Sequence, residues 1–256
     1  MVSTVASSTR GRRTSRARTC GRWSSSRPEP AAFAQFGSAV AVLPGCPERI
    51  AVGAPFDTVT ITRDGHEEEV RGAGAVYLFN AASGHFRCRI PNPDPAPDDL
   101  FGASLAEQDT NVFVGAPFDD SDGQDAGIVY HFAIDKDDDL PCDQLITRLG
   151  DFHDPVPQPE GHFGTSLANF GNYLFVGAPG DGVAGVPRAG AVHVFQATPD
   201  NPALHGPVIA TIPNPTPDEG DQFGFAISAA AGPPPILNSL HVGAPGDDRY
   251  GPDAGI

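Results

Sequence analysis

The chain has 256 residues, of which 30 are Gly and 27 are Pro, while only 19% carry a charge. This composition predicts many short strands joined by turns and excludes a helical bundle. No apolar run approaches the roughly 18 residues that a membrane-spanning helix needs, which excludes membrane insertion through a helix. Residues 1–27 hold seven Arg and no acid, so the rest carries a net charge of −23. Because such an acidic body repels nucleic acids and anionic membranes, it suits cations or basic partners.

The N-terminal segment, residues 1–30, is rich in Arg, Ser and Thr and shows no hydrophobic periodicity. It lacks the apolar stretch of about 7–15 residues that a secretory signal contains. We expect this Arg-rich tail to be disordered and without function. Three alternatives stay open: an organellar transit peptide, a twin-arginine-like signal at Arg12 and Arg13, and a start codon placed ahead of the genuine domain.

Beyond the tail, three sequence markers recur four times in the same order. A Phe-Gly pair opens each unit, a Gly-Ala-Pro triplet follows, and an Ala-Gly-(Ala/Ile)-Val segment comes third. The pairs begin at Phe36, Phe101, Phe163 and Phe223, the triplets at Gly53, Gly115, Gly177 and Gly243, and the third markers at Ala73, Ala126, Ala189 and Ala254. Such self-similarity at a period of 60–66 residues indicates a repeat architecture.

Each unit contains four short apolar runs bounded by Gly, Pro and Asp, which predicts four strands. In the second unit these strands are expected at 103–106, 111–114, 128–132 and 144–149. Four such strands make one antiparallel meander, which cannot bury both of its faces alone. Radial stacking of the sheets predicts a β-propeller, with proline-rich links between the blades.

These units resemble the FG-GAP repeat, the blade of the integrin α-subunit propeller, through FGASLA (101–106), VFVGAP (112–117) and AGIVYHF (126–132). The resemblance implies an all-β propeller of four-stranded antiparallel blades over residues 31–256. About three and a half blades are visible, as units of about 33–100, 101–162, 163–222 and 223–256. Because integrin-type propellers close with seven blades, we expect a fragment of such a propeller. Its open sheet edges predict poor solubility or self-association.

The resemblance also implies Ca²⁺ bound by a D-x-D-x-D-G loop between the first two strands, a pattern that is missing from every visible unit. The acids instead lie in the loops between the second and third strands and in the links between blades, which emerge on one face. The densest such loop predicts a metal site, with Ca²⁺ as the ion, formed by Asp119, Asp120, Asp122 and Asp125.

Two further readings of these acids stay open. An Asp follows the Gly-Ala-Pro strand in every unit, at Asp57, Asp119, Asp181 and Asp247, where it would cap a turn by bonding its own backbone. A weaker metal site is formed by the alternating residues Asp135, Asp137 and Asp139, but Leu140 follows where the sharp turn requires Gly.

Nothing in the sequence predicts an enzyme. Ser104 and Ser166 occupy equivalent places in two units, whereas a catalytic nucleophile is normally unique. His131, His193 and His241 fall on predicted strands, where filling and edge positions explain them. Of the four Cys, Cys46 and Cys88 belong to one unit, so a disulfide between them is a candidate.

The main functional hypothesis is a non-enzymatic binding or adhesion module that presents its acidic loops to a protein or glycan partner, which a basic surface would suit. The family resemblance implies an extracellular or cell-surface location, although no signal peptide is visible. Two alternatives stay open: a calcium-dependent structural scaffold, and the accessory propeller of a secreted hydrolase whose catalytic domain lies outside this sequence.

Overall fold

The computed structural model describes residues 30–45, 47–197, 207–230, 239–249, 251 and 255–256. Cys46, Ala254 and most of the Arg-rich tail lie outside the described residues, so the expectations for the tail stay predictions. Among the described residues, no helix is long and apolar enough to cross a membrane.

The described chain forms three complete four-stranded antiparallel sheets and part of a fourth, which we call blades 1 to 4. Blade 1 contains β1 (Val40–Leu43), β2 (Arg49–Ala54), β5 (Ala75–Asn80) and β6 (Phe86–Pro91). Blade 2 contains β7 (Ser104–Gln108), β8 (Asn111–Ala116), β9 (Ile128–Ile134) and β10 (Ile146–His153). Blade 3 contains β11 (Ser166–Phe170), β12 (Tyr173–Ala178), β13 (Ala191–Gln196) and β14 (Val208–Pro213), and blade 4 shows β15 (Ala226–Ala230) and β16 (Ser239–Gly243).

In every blade the strands follow one another in chain order, as a meander requires. The first strands β1, β7, β11 and β15 contact one another in succession, and together they line a groove of about 350 Å³. The blades are therefore arranged radially around their first strands. This arrangement confirms the predicted all-β fold, a partial β-propeller with sheet edges that do not close.

Neighbouring blades pack against each other through apolar clusters at their boundaries. Leu78 and Ile90 of blade 1 pack in one cluster with Val114 and Tyr130 of blade 2. A second cluster joins Phe113 of blade 2 with residues of blade 3. Stacking of the sheets thus removes from water apolar surface that an isolated sheet would expose, which stabilises the fold.

The predicted strands of blade 2 are correct except at the outer edge. There a one-turn helix, α1 (Cys142–Leu145), precedes β10, which runs on to His153. Pro141 stands just before this helix, where its fixed backbone angle is compatible with a helical start. The apolar run at 144–149, predicted to be one strand, therefore divides between a turn of helix and a strand.

One hairpin was not predicted. The loop after β2 forms β3 (Val59–Arg63) and β4 (His66–Val70), a separate two-stranded ribbon. Its tight turn is Asp64-Gly65, and both residues have positive φ, at 53° and 81°. An Asp-Gly pair between two such strands is a strong hairpin signal, so the sequence contained the information.

The predicted pairing of Cys46 with Cys88 is corrected by the structure, in which Cys88 forms a disulfide with Cys142. Cys88 lies on the outer strand of blade 1 and Cys142 lies on α1 of blade 2. Their Cα atoms are 5.8 Å apart. The bond therefore joins two blades, a geometry that depends on how the sheets stack and is invisible within one repeat unit.

We expect Cys142→Ser to destabilise the protein by about 2–4 kcal/mol, because the bond closes a loop of 54 residues in the unfolded chain. Thermal unfolding with and without a reductant measures the effect, and the reductant should lower the Tm of the wild type alone. The control is Cys46→Ser, which should leave the Tm unchanged. A loss of stability in Cys46→Ser that equals the loss in Cys142→Ser would contradict the assignment.

Candidate functional site

The loops between the second and third strands and the links between blades meet on one face, which we call the loop face. The amide of Asp98 in the first link donates to the carbonyl of Arg71 at 3.0 Å, and the amide of Phe118 donates to the carbonyl of Asp99 at 3.3 Å. Main-chain hydrogen bonds thus tie each link to the loops beside it. The predicted arrangement of these segments on a common face is correct.

Many acids of this face are not available at the surface, contrary to the expectation of an open acidic surface. Seven carboxylates that belong to these loops and links are buried. They are Asp57, Asp99, Asp119, Asp154, Asp181, Asp221 and Asp247. Burying a charge is costly unless it is paired or hydrogen-bonded, so each of these residues has a structural explanation or a function.

The Asp after the Gly-Ala-Pro strand caps its turn in blades 2 and 4, as one of the two readings predicted. Asp119 accepts a hydrogen bond from the amide of Ser121 at 2.9 Å, and Asp247 accepts one from the amide of Arg249 at 2.9 Å. Asp57 differs, because its Oδ1 accepts from the amide of the adjacent Thr58 at 3.0 Å and from the amide of Ala31 at 2.9 Å. The bonds of Asp119 and Asp247 each span two residues and form Asx turns. Such Asx turns fix the chain direction just after the second strand.

In blades 1 to 3, Oδ2 of this Asp also binds a side chain on the third strand of the same blade, a contact that the sequence did not predict. The hydroxyl of Tyr77 donates to Asp57 at 2.5 Å, and that of Tyr130 donates to Asp119 at 2.9 Å. In blade 3 the partner is His193, whose Nε2 lies 2.9 Å from Oδ2 of Asp181. Burial and the Asp57 carboxylate raise the pKa of Tyr77 to about 12.

A second polar pair closes the links after blades 1 and 3. The Asn92 side-chain amide donates to Asp99 at 2.7 Å and to the carbonyl of Ala73 at 3.2 Å. The same geometry recurs between Asn214 and Asp221, at 2.7 Å. All four side chains are buried. These pairs hold the start of one blade against the end of the previous blade.

The boundary between blades 2 and 3 departs from this pattern. Asp154 stands where the other links have Asn, and Gly161 stands where they have Asp. Asp154 keeps the turn, since it accepts from the amide of Val156 at 2.8 Å. Its other oxygen, Oδ2, has no hydrogen-bond partner among the described residues, and the same holds for Oδ1 of Asp181.

Asp154, Asp181 and His193 form a buried cluster at this boundary. One ligating atom from each lies within 4.8 Å of the others, and no other trio of His, Cys, Asp or Glu in the described chain meets this criterion. Burial raises the pKa of Asp181, and the charge of Asp154 adds to this effect, although the hydrogen bond from His193 opposes it. His193, which the sequence reading treated as a strand filler, belongs to this cluster.

The predicted metal loop separates its four carboxylates. Asp119 points into the blade towards Tyr130, whereas Asp120 accepts from the amide of Asp125 at 2.8 Å. Asp122 lies 2.6 Å from Nδ1 of His153. No three of the four Asp offer ligand atoms within 4.8 Å of one another. The Ca²⁺ site at Asp119, Asp120, Asp122 and Asp125 therefore stays a prediction.

The alternating acids after β9 serve turns. Oδ1 of Asp135 accepts from the amide of Asp137 at 2.8 Å, and Oδ1 of Asp137 accepts from the amide of Asp139 at 3.0 Å. Asp138 between them points inward and binds Arg49 of blade 1 at 2.7 Å. This buried ion pair lies on the same side of blade 1 as the disulfide and supports the contact between blades 1 and 2.

The serines that the sequence analysis considered as nucleophiles have structural partners. Ser104 Oγ donates to the carbonyl of Gly164 at 2.6 Å, and Ser166 Oγ donates to the carbonyl of Gly224 at 2.6 Å. Each hydroxyl thus binds the Phe-Gly segment of the next blade. His131 fills a strand position as expected, where its Nε2 lies 3.1 Å from Oδ1 of Asn111.

The surface that stays acidic on the loop face includes the hairpin β3–β4. Glu67, Glu68 and Glu69 are exposed on β4. Glu68 is 3.3 Å from Arg63, an exposed ion pair worth little. Glu67 and Glu69 form no ion pair with any described residue. Further exposed acids of this face are Asp94, Asp98, Asp120, Glu160, Asp218, Glu219 and Asp248.

Residues 89–132 match the model of the FG-GAP repeat family. No curated protein is similar enough in sequence to count as a relative. Among solved structures, the WD40 repeats of RRP9 are similar at 12% identity with a TM-score of 0.46, over 84% of this chain and 47% of that one. The β-propeller domain of Cps50 (Swd1) from Myceliophteria thermophila is similar at 11% identity with a TM-score of 0.43, over 82% and 51%. The chain thus spans about half the length of these propellers.

The buried carboxyl group of Asp99 makes the stability of the fold depend on pH. Burial and the nearby charge of Asp119 raise its pKa to about 7, against the hydrogen bonds from Ala96 and Asn92. Because the folded state holds this proton more tightly than the unfolded state does, Asp99 favours folding at low pH, and this contribution is lost as the pH rises from about 4 to 7.

We expect Asp99→Asn to raise the Tm at pH 8, by an amount that shrinks towards pH 4. The upper limit is about 4 kcal/mol, at about 1.4 kcal/mol per pKa unit. Thermal melts from pH 4 to 8 measure the difference, and the exposed neighbour Asp98→Asn is the control. A gap of constant size across this pH range, or a less stable Asp99→Asn at pH 8, would show that the carboxyl is ionised without penalty.

Proposed function

We propose that this chain is a non-enzymatic interaction module, a partial β-propeller with an FG-GAP repeat whose loop face binds a basic protein partner outside the cell or at its surface. The observation that carries the proposal is the exposed acidic hairpin β3–β4 on the loop face. In the other complete blades the same loop has no strand pair of this kind in the described residues. The hairpin therefore adds surface that the core of the propeller does not need.

The hairpin has a buried base and an exposed tip. Val59 and Val70 at its base are buried and pack with Ala73, which anchors the ribbon to blade 1. Residues 62–69 are all exposed, including the three Glu. A ribbon with a fixed base and a charged tip presents its carboxylates at low entropic cost, and complementary charge raises association rates and selects partners.

Two further observations support the proposal. The disulfide between Cys88 and Cys142 suits an oxidising environment such as the cell exterior. Ser104 and Ser166 use their hydroxyls to hold neighbouring blades together, so both have structural roles that explain their recurrence. These roles favour binding over catalysis.

The test uses a fluorescent peptide of about 15 residues rich in Lys and Arg as the probe, with fluorescence anisotropy as the readout. We expect wild-type binding to weaken as salt is added, because exposed charges are screened within about 10 Å at 0.1 M salt. Glu67→Lys combined with Glu69→Lys should weaken binding at least about tenfold.

The matched control is Glu48→Lys combined with Asp143→Lys. Both residues are exposed acids at the opposite end of the blades, on the loop before β2 and on α1. This double variant changes the net charge by the same amount and should bind the peptide as the wild type does. Equal losses in both double variants would mean that net charge alone attracts the peptide. Equal binding by all three proteins would remove the hairpin from the interface.

A further inference from the structure

We propose that Asp154, Asp181 and His193 form a binding site for a divalent transition-metal ion, with Zn²⁺ as the best fit, inside the boundary between blades 2 and 3. This site differs from the loop Asp119–Asp125 in place and in ligand type. It is also independent of partner binding at the hairpin.

The first argument is charge. The side chains of Asp154 and Asp181 are exposed by only 1% and 4%, and no described Arg or Lys forms an ion pair with either. The one basic side chain beside them is His193, at 4.0 Å from Asp154 and 2.9 Å from Asp181, and a single imidazole can balance at most one of the two charges. Each buried charge that stays unbalanced costs several kcal/mol, even in a relaxed protein. A dication would neutralise both, since neutral imidazole adds no charge.

The second argument is the pair of oxygens without partners. Asp154 Oδ2 and Asp181 Oδ1 are buried and accept no hydrogen bond from the described chain. Buried polar atoms are nearly always satisfied. Atoms from the two Asp and from His193 come within 4.8 Å of one another. Ligands around a four-coordinate zinc are about 3.3 Å apart, so small side-chain rotations would close the site.

The third argument is the orientation of His193. Its Nδ1 lies 3.1 Å from the hydroxyl oxygen of Thr211, while its Nε2 points to Asp181 at 2.9 Å. A metal-binding His typically uses one ring nitrogen for the metal and bonds the other to a polar neighbour that fixes the ring. Thr211 on the adjacent strand β14 is in that place. Metal binding at Nε2 would displace the proton shared with Asp181.

The fourth argument is that the site arises only where the repeat changes. Gly161 replaces the Asp that closes the equivalent links, and a Cβ at Gly161 would lie 3.0 Å from Asp181 Oδ1. The same Cβ position is 3.0 Å from the carbonyl oxygen of Gln158 and 3.6 Å from that of Ala126. The missing side chain therefore leaves Asp181 Oδ1 uncrowded within a group of oxygens, which suits a cation.

The donor atoms of the three side chains favour one metal ion over the others. Two carboxylates and an imidazole suit Zn²⁺, and Mn²⁺ binds the same set more weakly in the usual order of affinities. Ca²⁺ prefers six to eight oxygen ligands, which a trio with one nitrogen does not offer. We therefore expect affinity to fall from Zn²⁺ to Mn²⁺ to Ca²⁺.

The experiment is a titration of the chelator-stripped full chain with ZnCl₂ by calorimetry, together with metal analysis after dialysis and thermal melts. We expect one Zn²⁺ per chain and a Tm that rises with Zn²⁺. Asp154→Asn should weaken binding by at least about 100-fold and abolish the rise in Tm. His193→Tyr should also weaken Zn²⁺ binding and abolish the rise in Tm. It introduces the residue that stands at the equivalent position in blades 1 and 2, Tyr77 and Tyr130.

Both variants restore residues of neighbouring repeats, so they are expected to fold. Asn92 and Asn214 already occupy the place of Asp154 in the other links. The control is Asp99→Asn at the boundary of blades 1 and 2, which should bind Zn²⁺ as the wild type does. Loss of binding in this control as well would overturn the location of the site.

Three results would overturn the proposal. Zn²⁺ could bind the wild type and Asp154→Asn equally, which would place it elsewhere on the chain. The wild type could bind Ca²⁺ more tightly than Zn²⁺, which would refute the ligand set. Finally, Zn²⁺ could leave the Tm unchanged while metal-free Asp154→Asn melts above the wild type at pH 7, which would show that a shared proton, rather than a metal, neutralises the two Asp.

Discussion

The close approach of two glycines at each blade boundary is the constraint on which the propeller depends. A Cβ added to Gly53 of blade 1 would lie 2.1 Å from the carbonyl oxygen of Gly102 in blade 2. The corresponding distances are 2.2 Å between Gly115 and Gly164 and 2.0 Å between Gly177 and Gly224. No side chain fits in any of these places. The glycines of the Gly-Ala-Pro and Phe-Gly markers therefore recur because they touch each other across every boundary.

Hydrogen bonds extend these contacts into a continuous chain across the blades. Within blade 2 the amide of Gly102 donates to the carbonyl of Gly115 at 2.9 Å, and within blade 3 the amide of Gly164 donates to that of Gly177 at 3.0 Å. Contacts between blades thus alternate with hydrogen bonds inside them. Because Gly102 also requires a φ of 93°, which few other residues tolerate, substitution there would disturb both kinds of contact.

This geometry explains which parts of the fold can be predicted from the sequence and which cannot. The markers are local in the sequence and recur, so the blades, the second strands that end before Pro55, Pro117 and Pro179, and the loop face could all be predicted. The disulfide could not, since Cys88 meets Cys142 only when two sheets stack. The hairpin could have been predicted, because Asp64-Gly65 lies between two runs of β-forming residues.

The buried cluster was missed for a different reason. Asp154 and Gly161 lie in a link between blades, outside the three recurring markers, so the markers carry no information on how these two positions depart from the other copies. The main chain is bonded in the same way at each of these boundaries. The amide of Phe101 donates to the carbonyl of Ala73 at 3.2 Å, and the amide of Phe163 donates to the carbonyl of Ala126 at 2.8 Å. Since main-chain bonds keep the same geometry in each copy, the side chains at one boundary can change without loss of the fold. A repeat protein can therefore acquire a chemical site at a single boundary through a few substitutions, and the copies beside it show what that boundary would be without them.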